Sequence, residues 1–443
     1  MANPKFIPKI SDKKHHTDVL NRLPSDWESW PEDKASINDA NALNTFVKRS
    51  KKNSFRWPKK PVVFISDAHA DADAFEASLL AAGVIKRHGN HHCEYVLTKF
   101  GESAEIVVGG DCLDKGPSNL ALLRSLAHLY RLKADVTLLA GNHDLRLLMG
   151  LLSLERDNDV GSQHFFVRMG KKVVPLFKEV FEQYLANSKW QKGVPSEDEC
   201  RRALFPDEDW FESFPFYAAG FLTAAGIDRE TSKMETKTHK FEQHCAAAGL
   251  TLQQVYAAAM VCRSLFLKRS GEFNWFFRKM CLVKQRGSFL FLHAGLDDRM
   301  AQLLAKRGIK YANRAFKKNL RSQNLFNFYY SPLANTFRTK YRNADLPLTK
   351  RGTKATTKAG IFVLVQGHIN QCAGQRITLK KGLIHIEADI TLDAHSRQRE
   401  GLDGFGAGAT LIDKKRGVVG ISCDYPRAKV FKPGRNGRLQ EAR

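Results

Sequence analysis

The sequence lacks closely spaced cysteine pairs. Its eight cysteines, Cys93, Cys112, Cys200, Cys245, Cys262, Cys281, Cys372 and Cys423, contain no CxxC step. That argues against a zinc knuckle or a disulfide framework and for reduced thiols in a cytoplasmic protein. No apolar run approaches the roughly 20 residues needed to span a bilayer. The opening MANPKFIPKISDKKHH has no apolar core of the kind a secretory signal needs. No membrane association is therefore expected, and the sequence is silent on oligomeric state. Internal repeats and low-complexity tracts are also missing. Acid is scarce: 46 Asp and Glu face 70 Lys and Arg, a net charge of +24 over 443 residues, so anionic partners are expected. What remains is ordinary globular composition, 43% apolar and 26% charged, which excludes wholesale disorder and a coiled-coil rod.

The excess charge is uneven. Between Lys306 and Lys358 stand 14 Lys and Arg against one acid, Asp345. A like-charge block is usually a solvated face, but this one is dense enough to suggest phosphate handling. It suits a phosphoprotein, polyphosphate, nucleotide or nucleic acid equally. The first 60 residues carry KKHH (13–16) and KRSKK (48–52) and show no clear period. They are expected to form a basic extension, and 425–443 a basic flexible tail.

Short apolar runs ending in Gly or Asp mark strands: PVVFIS (61–66), EIVVGG (105–110), DVTLLAG (135–141), SFLFLHAG (288–295), IFVLVQGH (361–368), GLIHIEAD (382–389), GATLID (408–413) and GVVGISCD (417–424). Helical patterns at 71–85 and 118–134 alternate with the first of them, which implies an α/β architecture with chemistry at strand ends. Residues 151–285 differ. They show helical spacing and many aromatics, among them Phe165, Trp210, Phe214 and Phe276. A helical insertion with a small packed core, overhanging the site, is expected between core segments 61–150 and 286–424.

The residues just after the strands are the informative ones: Ser66-Asp67-Ala68-His69, Gly110-Asp111-Cys112-Leu113-Asp114-Lys115-Gly116-Pro117, Gly141-Asn142-His143-Asp144, His293-Ala294-Gly295 and Gly367-His368. All but the first place Asp, Asn or His beside or near a glycine that lets the backbone turn. Singly, each is an ordinary turn; their joint order is not. Asp67, His69, Asp111, Asn142, His293 and His368 offer three oxygen donors and three imidazoles. This set favours two iron, manganese or zinc ions over a calcium cage. Two such ions sharing a carboxylate can activate a bridging hydroxide for in-line attack on phosphorus. His143 is then free to protonate the leaving group, with Asp114 fixing its tautomer. Lys115 and an arginine of the basic block can hold phosphate oxygens. Weaker features are the polar loop His91-His92-Cys93 and the trio Asp389, Asp393 and His395, read as supporting rather than ligating.

The ordered set DxH, GDxxDxGP, GNHD, HAG and GH resembles the calcineurin-like metallophosphoesterases, in particular the serine/threonine phosphoprotein phosphatase branch in a bacterial form. The resemblance covers about half the chain, 60–150 and 286–424. It implies a β-sandwich of two mixed sheets flanked by helices. It also implies a first metal on Asp67 and His69, Asp111 as the bridge, a second metal on Asn142, His293 and His368, His143 as catalytic acid and Asp114 as its partner. Arg338 or Arg342 would be the phosphate arginine. Departures are Lys115 and Ala140 where that branch usually carries Arg, and Ala294 in a form resembling diadenosine tetraphosphate hydrolases. Asn370 replaces the second His of GHxH, which points away from the nuclease branches. The implied activity is phosphomonoester hydrolysis. The alternatives are dinucleoside polyphosphate hydrolysis, or nucleic-acid binding on a phosphatase scaffold.

Overall fold

The computed structural model describes residues 17–30, 55–155, 159–321, 324–343 and 345–431. The basic runs at 13–16 and 48–52 and the tail from 432 onward lie outside these residues.

Alternation along the strands builds two layers. In β2 (Val62–Ile65), Val62 and Phe64 point into one apolar cluster while Val63 and Ile65 point into another. In β8 (Phe289–Phe291) and β9 (Val363–Gln366), Phe289, Phe291, Val363 and Val365 meet Val62 and Phe64, while Leu290 and Leu364 face the opposite way. The period of two thus makes one cluster the filling between two sheets and the other the seat for helices.

The first sheet runs β1-β14-β13-β12-β2-β5-β6 and the second β10-β11-β9-β8-β7. Here β1 is Asp26–Ser29, β5 Glu105–Val108, β6 Asp135–Leu138, β7 Lys284–Arg286, β10 Arg376–Lys380, β11 Leu383–Glu387, β12 Gly408–Asp413, β13 Gly417–Ser422 and β14 Arg427–Phe431. A separate hairpin pairs β3 (Ile85–Arg87) with β4 (Tyr95–Leu97). Within the first sheet β2, β5 and β6 are parallel, whereas β12, β13 and β14 are antiparallel. Both sheets are therefore mixed, as the sandwich expectation required.

Every strand anticipated from the sequence forms, most of them shortened at one or both ends and Gly408–Asp413 at full length. The helix expected at 71–85 spans Ala72–Ala81. It starts where the Asp71 carboxylate accepts from the Ala74 amide at 2.9 Å, a helix N-cap. Two boundaries need correction. The flexible tail expected from 425 begins too early, because Arg427–Phe431 is a strand of the main sheet. The N-terminal extension is not merely appended, because Asp26–Ser29 pairs in parallel with that strand. Both are short strands of mixed polarity, β1 at the sheet edge and β14 beside it, which strand patterning does not detect.

Residues 151–285 are mostly helical, including Phe165–Met169, Glu208–Ala218, Ala224–Ala247 and Leu252–Leu267. Phe165, Phe166, Phe177, Trp210, Phe214 and Phe241 are buried in the same cluster that covers the helix side of the first sheet. Each contributes on the order of 1.5–3 kcal/mol by burial, so the aromatics hold the segment onto the core. Among the described residues, no single helix is long and apolar enough to cross a membrane.

Candidate metal centre

The C-terminal ends of β2, β5, β6, β8 and β9 deliver the predicted residues to one pocket of about 460 Å³. Asp67, His69, Asp111, Asn142, His143 and His368 line it, and His293 lies fully buried against them. The turns are sharp. Asp67 (φ 58°), His69 (φ 42°), Asp111 (φ 50°), Asp114 (φ 72°) and His368 (φ 69°) all adopt left-handed backbone. For non-glycine residues this costs of order 1–3 kcal/mol each and persists only where surrounding structure enforces it. Gly141 is obligatory for another reason: a Cβ there would collide with the Asp111 amide and carboxylate.

Local hydrogen bonds hold the donors in place. Asp67 Oδ2 accepts from the Ser66 hydroxyl and from the His368 amide at 3.0 Å. Asp111 Oδ1 accepts from the His143 amide at 2.8 Å, at the first turn of the helix Asn142–Ser153. His69 Nδ1 lies 3.2 Å from the Leu113 carbonyl and His293 Nδ1 2.9 Å from that of Gly109. Each ring therefore turns Nε2 toward the carboxylates. His69 Nε2 is 3.8 Å from Asp111 Oδ2, and His293 Nε2 is 3.4 Å from Asp111 Oδ1.

These atoms form two groups. Ligand atoms of Asp67, His69 and Asp111 lie within 4.8 Å of one another, and so do those of Asp111, His293 and His368. Asp111 is common to both. The Asn142 carboxamide turns one terminal atom to 3.2 Å from His293 Nε2 and 2.8 Å from His368 Nδ1. As nitrogen that atom donates to both rings; as oxygen it joins their lone pairs in an arrangement that a cation satisfies. The charges agree. Burial, with Asp111 nearby, raises Asp67 to about 6, and burial presses His69 down to about 4. Both shifts oppose the form that carries charge in water, and a metal ion would reverse the first. The donor set fits metal ions.

His143 stands apart from the donors. Its Nδ1 lies 2.7 Å from Asp114 Oδ2, which leaves Nε2 facing Asp111 Oδ2 at 4.0 Å. Burial raises Asp114 to about 7, against the pull of Arg146, Lys172 and Lys115.

The structure also supplies what motif reading missed. Asp144 accepts from the Cys112 amide at 3.0 Å, the Leu113 amide at 3.2 Å and the Gly141 amide at 3.2 Å, tying two ligand loops together. Lys115, Lys172, Lys340 and Arg399 all line the pocket. Arg338 and Arg342 do not. Arg338 lies over the rings of Tyr329 at 4.8 Å and Tyr330 at 5.4 Å, while the Arg342 amide is held by Asp345. Lys340, between them in sequence, takes the pocket position. The insertion contributes Lys172 to the lining, a smaller part than an overhanging cap implies. Asp389 lines the pocket and holds the Thr391 amide at 3.0 Å, whereas Asp393 caps the helix Ala394–Arg399. The His91–Cys93 loop supports local structure, with the Cys93 amide donating to Glu76 at 3.0 Å.

A family model described as calcineurin-like phosphoesterase matches residues 60–258. Over this stretch the chain resembles the calcineurin-like phosphoesterases. The match supports a hydrolase acting on phosphoesters. The match takes in Asp67, His69, Asp111, Asn142 and His143 and stops before His293 and His368, which the fold brings in. No curated protein matches the sequence. Among solved structures, a cold-active protein tyrosine phosphatase is 15% identical over 86% of this chain and 80% of its own, with a TM-score of 0.46. The cold-active protein-tyrosine phosphatase of a psychrophilic Shewanella species is 14% identical over 86% and 80%, with a TM-score of 0.41. A serine/threonine phosphatase from Saccharomyces cerevisiae is 11% identical over 84% and 81%, with a TM-score of 0.31.

Proposed function

We propose that this phosphoesterase hydrolyses a phosphomonoester at a dinuclear metal centre, in the manner of the serine/threonine phosphoprotein phosphatases. The observation that carries this reading is the shared position of Asp111 between two donor groups, with a histidine–carboxylate pair beside them. In this reading Asp67, His69 and Asp111 hold one ion, and Asp111, Asn142, His293 and His368 hold the other; manganese, iron and zinc all suit the donors. Two such ions, when bound, supply an activated water and offset phosphate charge. The chain's own residues do the rest. His143 delivers a proton from Nε2 to the leaving oxygen, and Asp114 keeps the other proton on Nδ1 so that Nε2 points inward. Lys115, held by the Ser396 hydroxyl at 3.0 Å, and Lys172, Lys340 and Arg399 grip the non-bridging oxygens. The eight free thiols suit a cytoplasmic setting.

One observation favours a second reading. Four cations around a single 460 Å³ pocket exceed what one phosphate requires, so a di- or polyphosphate ester such as a dinucleoside polyphosphate also fits. A panel of phosphopeptides, alkyl phosphates and dinucleoside polyphosphates, assayed with added manganese and with chelator, separates the two. Metal-dependent release of phosphate from the monoesters supports the first reading. Turnover confined to dinucleoside polyphosphates supports the second. Hydrolysis unaffected by chelator would remove both.

A further inference from the structure

The opposite end of the same sheets carries a second charged surface. Lys60, Glu105 and Asp135 stand at or just before the N-terminal ends of β2, β5 and β6, whose C-terminal ends lead to Asp67, Asp111 and Asn142. Four residues of extended strand put roughly 13 Å between the two ends. A groove of about 950 Å³ opens here, with Arg56, Lys59, Lys60 and Lys310 in its lining. Through the shared Arg56, Lys59 and Lys60 it continues into a groove of about 730 Å³ that adds Lys414 and Lys415. Through Asn313 it continues the other way, into a groove of about 450 Å³ lined by Arg314, Lys317, Lys318 and Arg321. None of these residues lines the metal pocket.

The cations form a row. Lys310, Arg314, Lys317, Lys318 and Arg321 recur at helical spacing on one face of the helix Asp298–Arg321, which kinks at Gly308. From Lys310 to Arg321 the rise is about 16 Å. The acids in the three grooves are already engaged. Glu105 is held by Arg286, by Lys284 at 3.2 Å and by Thr137 at 2.7 Å; Asp135 pairs with Lys60 at 3.2 Å; Asp413 accepts from the Lys415 and Arg416 amides. Lys317 is also committed, donating to the Phe277 and Arg278 carbonyls. Arg56, Lys59, Lys310, Arg314, Lys318, Arg321, Lys414 and Lys415 are exposed, and the described residues include no ion-pair partner for them.

We propose that this band binds a single nucleic-acid strand along its phosphodiester backbone, without reading base sequence. Rows of like charge repel one another, and a polyanion that covers them gains by releasing its counterions. A row of about 16 Å is long enough to meet more than one successive phosphate of such a strand. Joined grooves suit a linear chain better than the flat face a lipid surface would need, and the even run of cations suits regular charge better than scattered carboxylates of a protein. The proposal does not depend on the hydrolytic reading.

The test is binding of a fluorescein-labelled, mixed-sequence single-stranded 20-mer to the full chain, measured by anisotropy in chelator so that hydrolysis is silent. The quadruple variant Lys310→Ala, Arg314→Ala, Lys318→Ala, Arg321→Ala should bind at least about 10-fold more weakly near 0.1 M salt. Its log–log salt slope should be shallower by about 3, from roughly 0.7 per lost contact. Its hydrolysis of a small aryl phosphate in manganese should match the parent. If that variant melts early, the pair Lys414→Ala, Lys415→Ala on an exposed turn gives a second reading, with a slope change of about 1.4. Unchanged affinity and slope in a folded variant would overturn the proposal. So would equal competition by polyglutamate of matched charge, which would indicate an acidic protein. Tighter binding to anionic vesicles than to the oligonucleotide would indicate a membrane surface and would also overturn it.

Discussion

The two ends of the sandwich use charge in opposite ways. At the C-terminal strand ends Asp67, His69, Asp111, Asp114, His143 and His293 are buried, held by hydrogen bonds, and several sit on left-handed backbone. At the N-terminal ends the unpaired cations stand in water, and none of them has a positive φ. The first arrangement depends on position, because ligation and proton transfer fail when atoms shift by an ångström or so. The second depends on number, because screened surface charges act together and weakly one by one. Single substitutions should therefore be severe at one end and mild at the other.

The largest effect is expected for Asp111→Ala, which removes the carboxylate common to both donor groups. Elemental analysis should find metal lost from both sites and turnover abolished. Two retained ions would break the proposed sharing. Next is His143→Ala, which should keep its metal while turnover of an alkyl phosphate falls about 10²–10⁴-fold. An aryl phosphate, whose leaving group needs little protonation, should lose less; equal losses would remove the acid role.

A buried pair inside the insertion, packed against a tyrosine of the basic block, sharpens the contrast through stability. Glu230 pairs with Arg168, whose guanidinium lies 4.2 Å from the Tyr329 ring centre. Burial would raise the Glu230 carboxyl, but Arg168 outweighs it and holds it near 2, below its ordinary 4.5. The pair's stabilisation is therefore complete above pH 4.5 and disappears as pH falls toward 2. Glu230→Gln should cost about 3 kcal/mol at neutral pH, and should flatten the acid limb of the stability curve measured by denaturant titration. The smallest effect belongs to the exposed pair Lys60–Asp135, 3.2 Å apart with side chains 61% and 44% exposed. Lys60→Ala should change stability by no more than about 1 kcal/mol. A larger loss would show that the basic end is a structural element as well as a charged surface.

The metal-ligand candidates could be found in the sequence because metal chemistry restricts residue type. Asp, His and Asn at turns after an apolar run form a sparse pattern, and five such turns in order are hard to mistake. The cations that line the pocket were not identifiable in the same way. Lys172, Lys340 and Arg399 look like any other surface base until the fold points them into the pocket, and Arg338 and Arg342 had equal claim from sequence position. Asp144 stood in a quoted motif, but its service to the Asp111 loop needs the two loops side by side. Strands β1 (DWES) and β14 (RAKVF) escaped because each is short and carries charged residues that break an alternating apolar pattern.

Local sequence was thus enough to specify the α/β character, the strand-end turns and the identity of the candidate donors. Each depends on residues within a few positions of one another, and steric limits on the backbone act at that range. Folding alone brings His293 and His368 to Asp111, pairs Asp26–Ser29 with Arg427–Phe431, and gathers 56–60, 310–321 and 414–415 into one band. These are through-space relations between remote segments, governed by distance and burial, and no contiguous stretch of chain contains them.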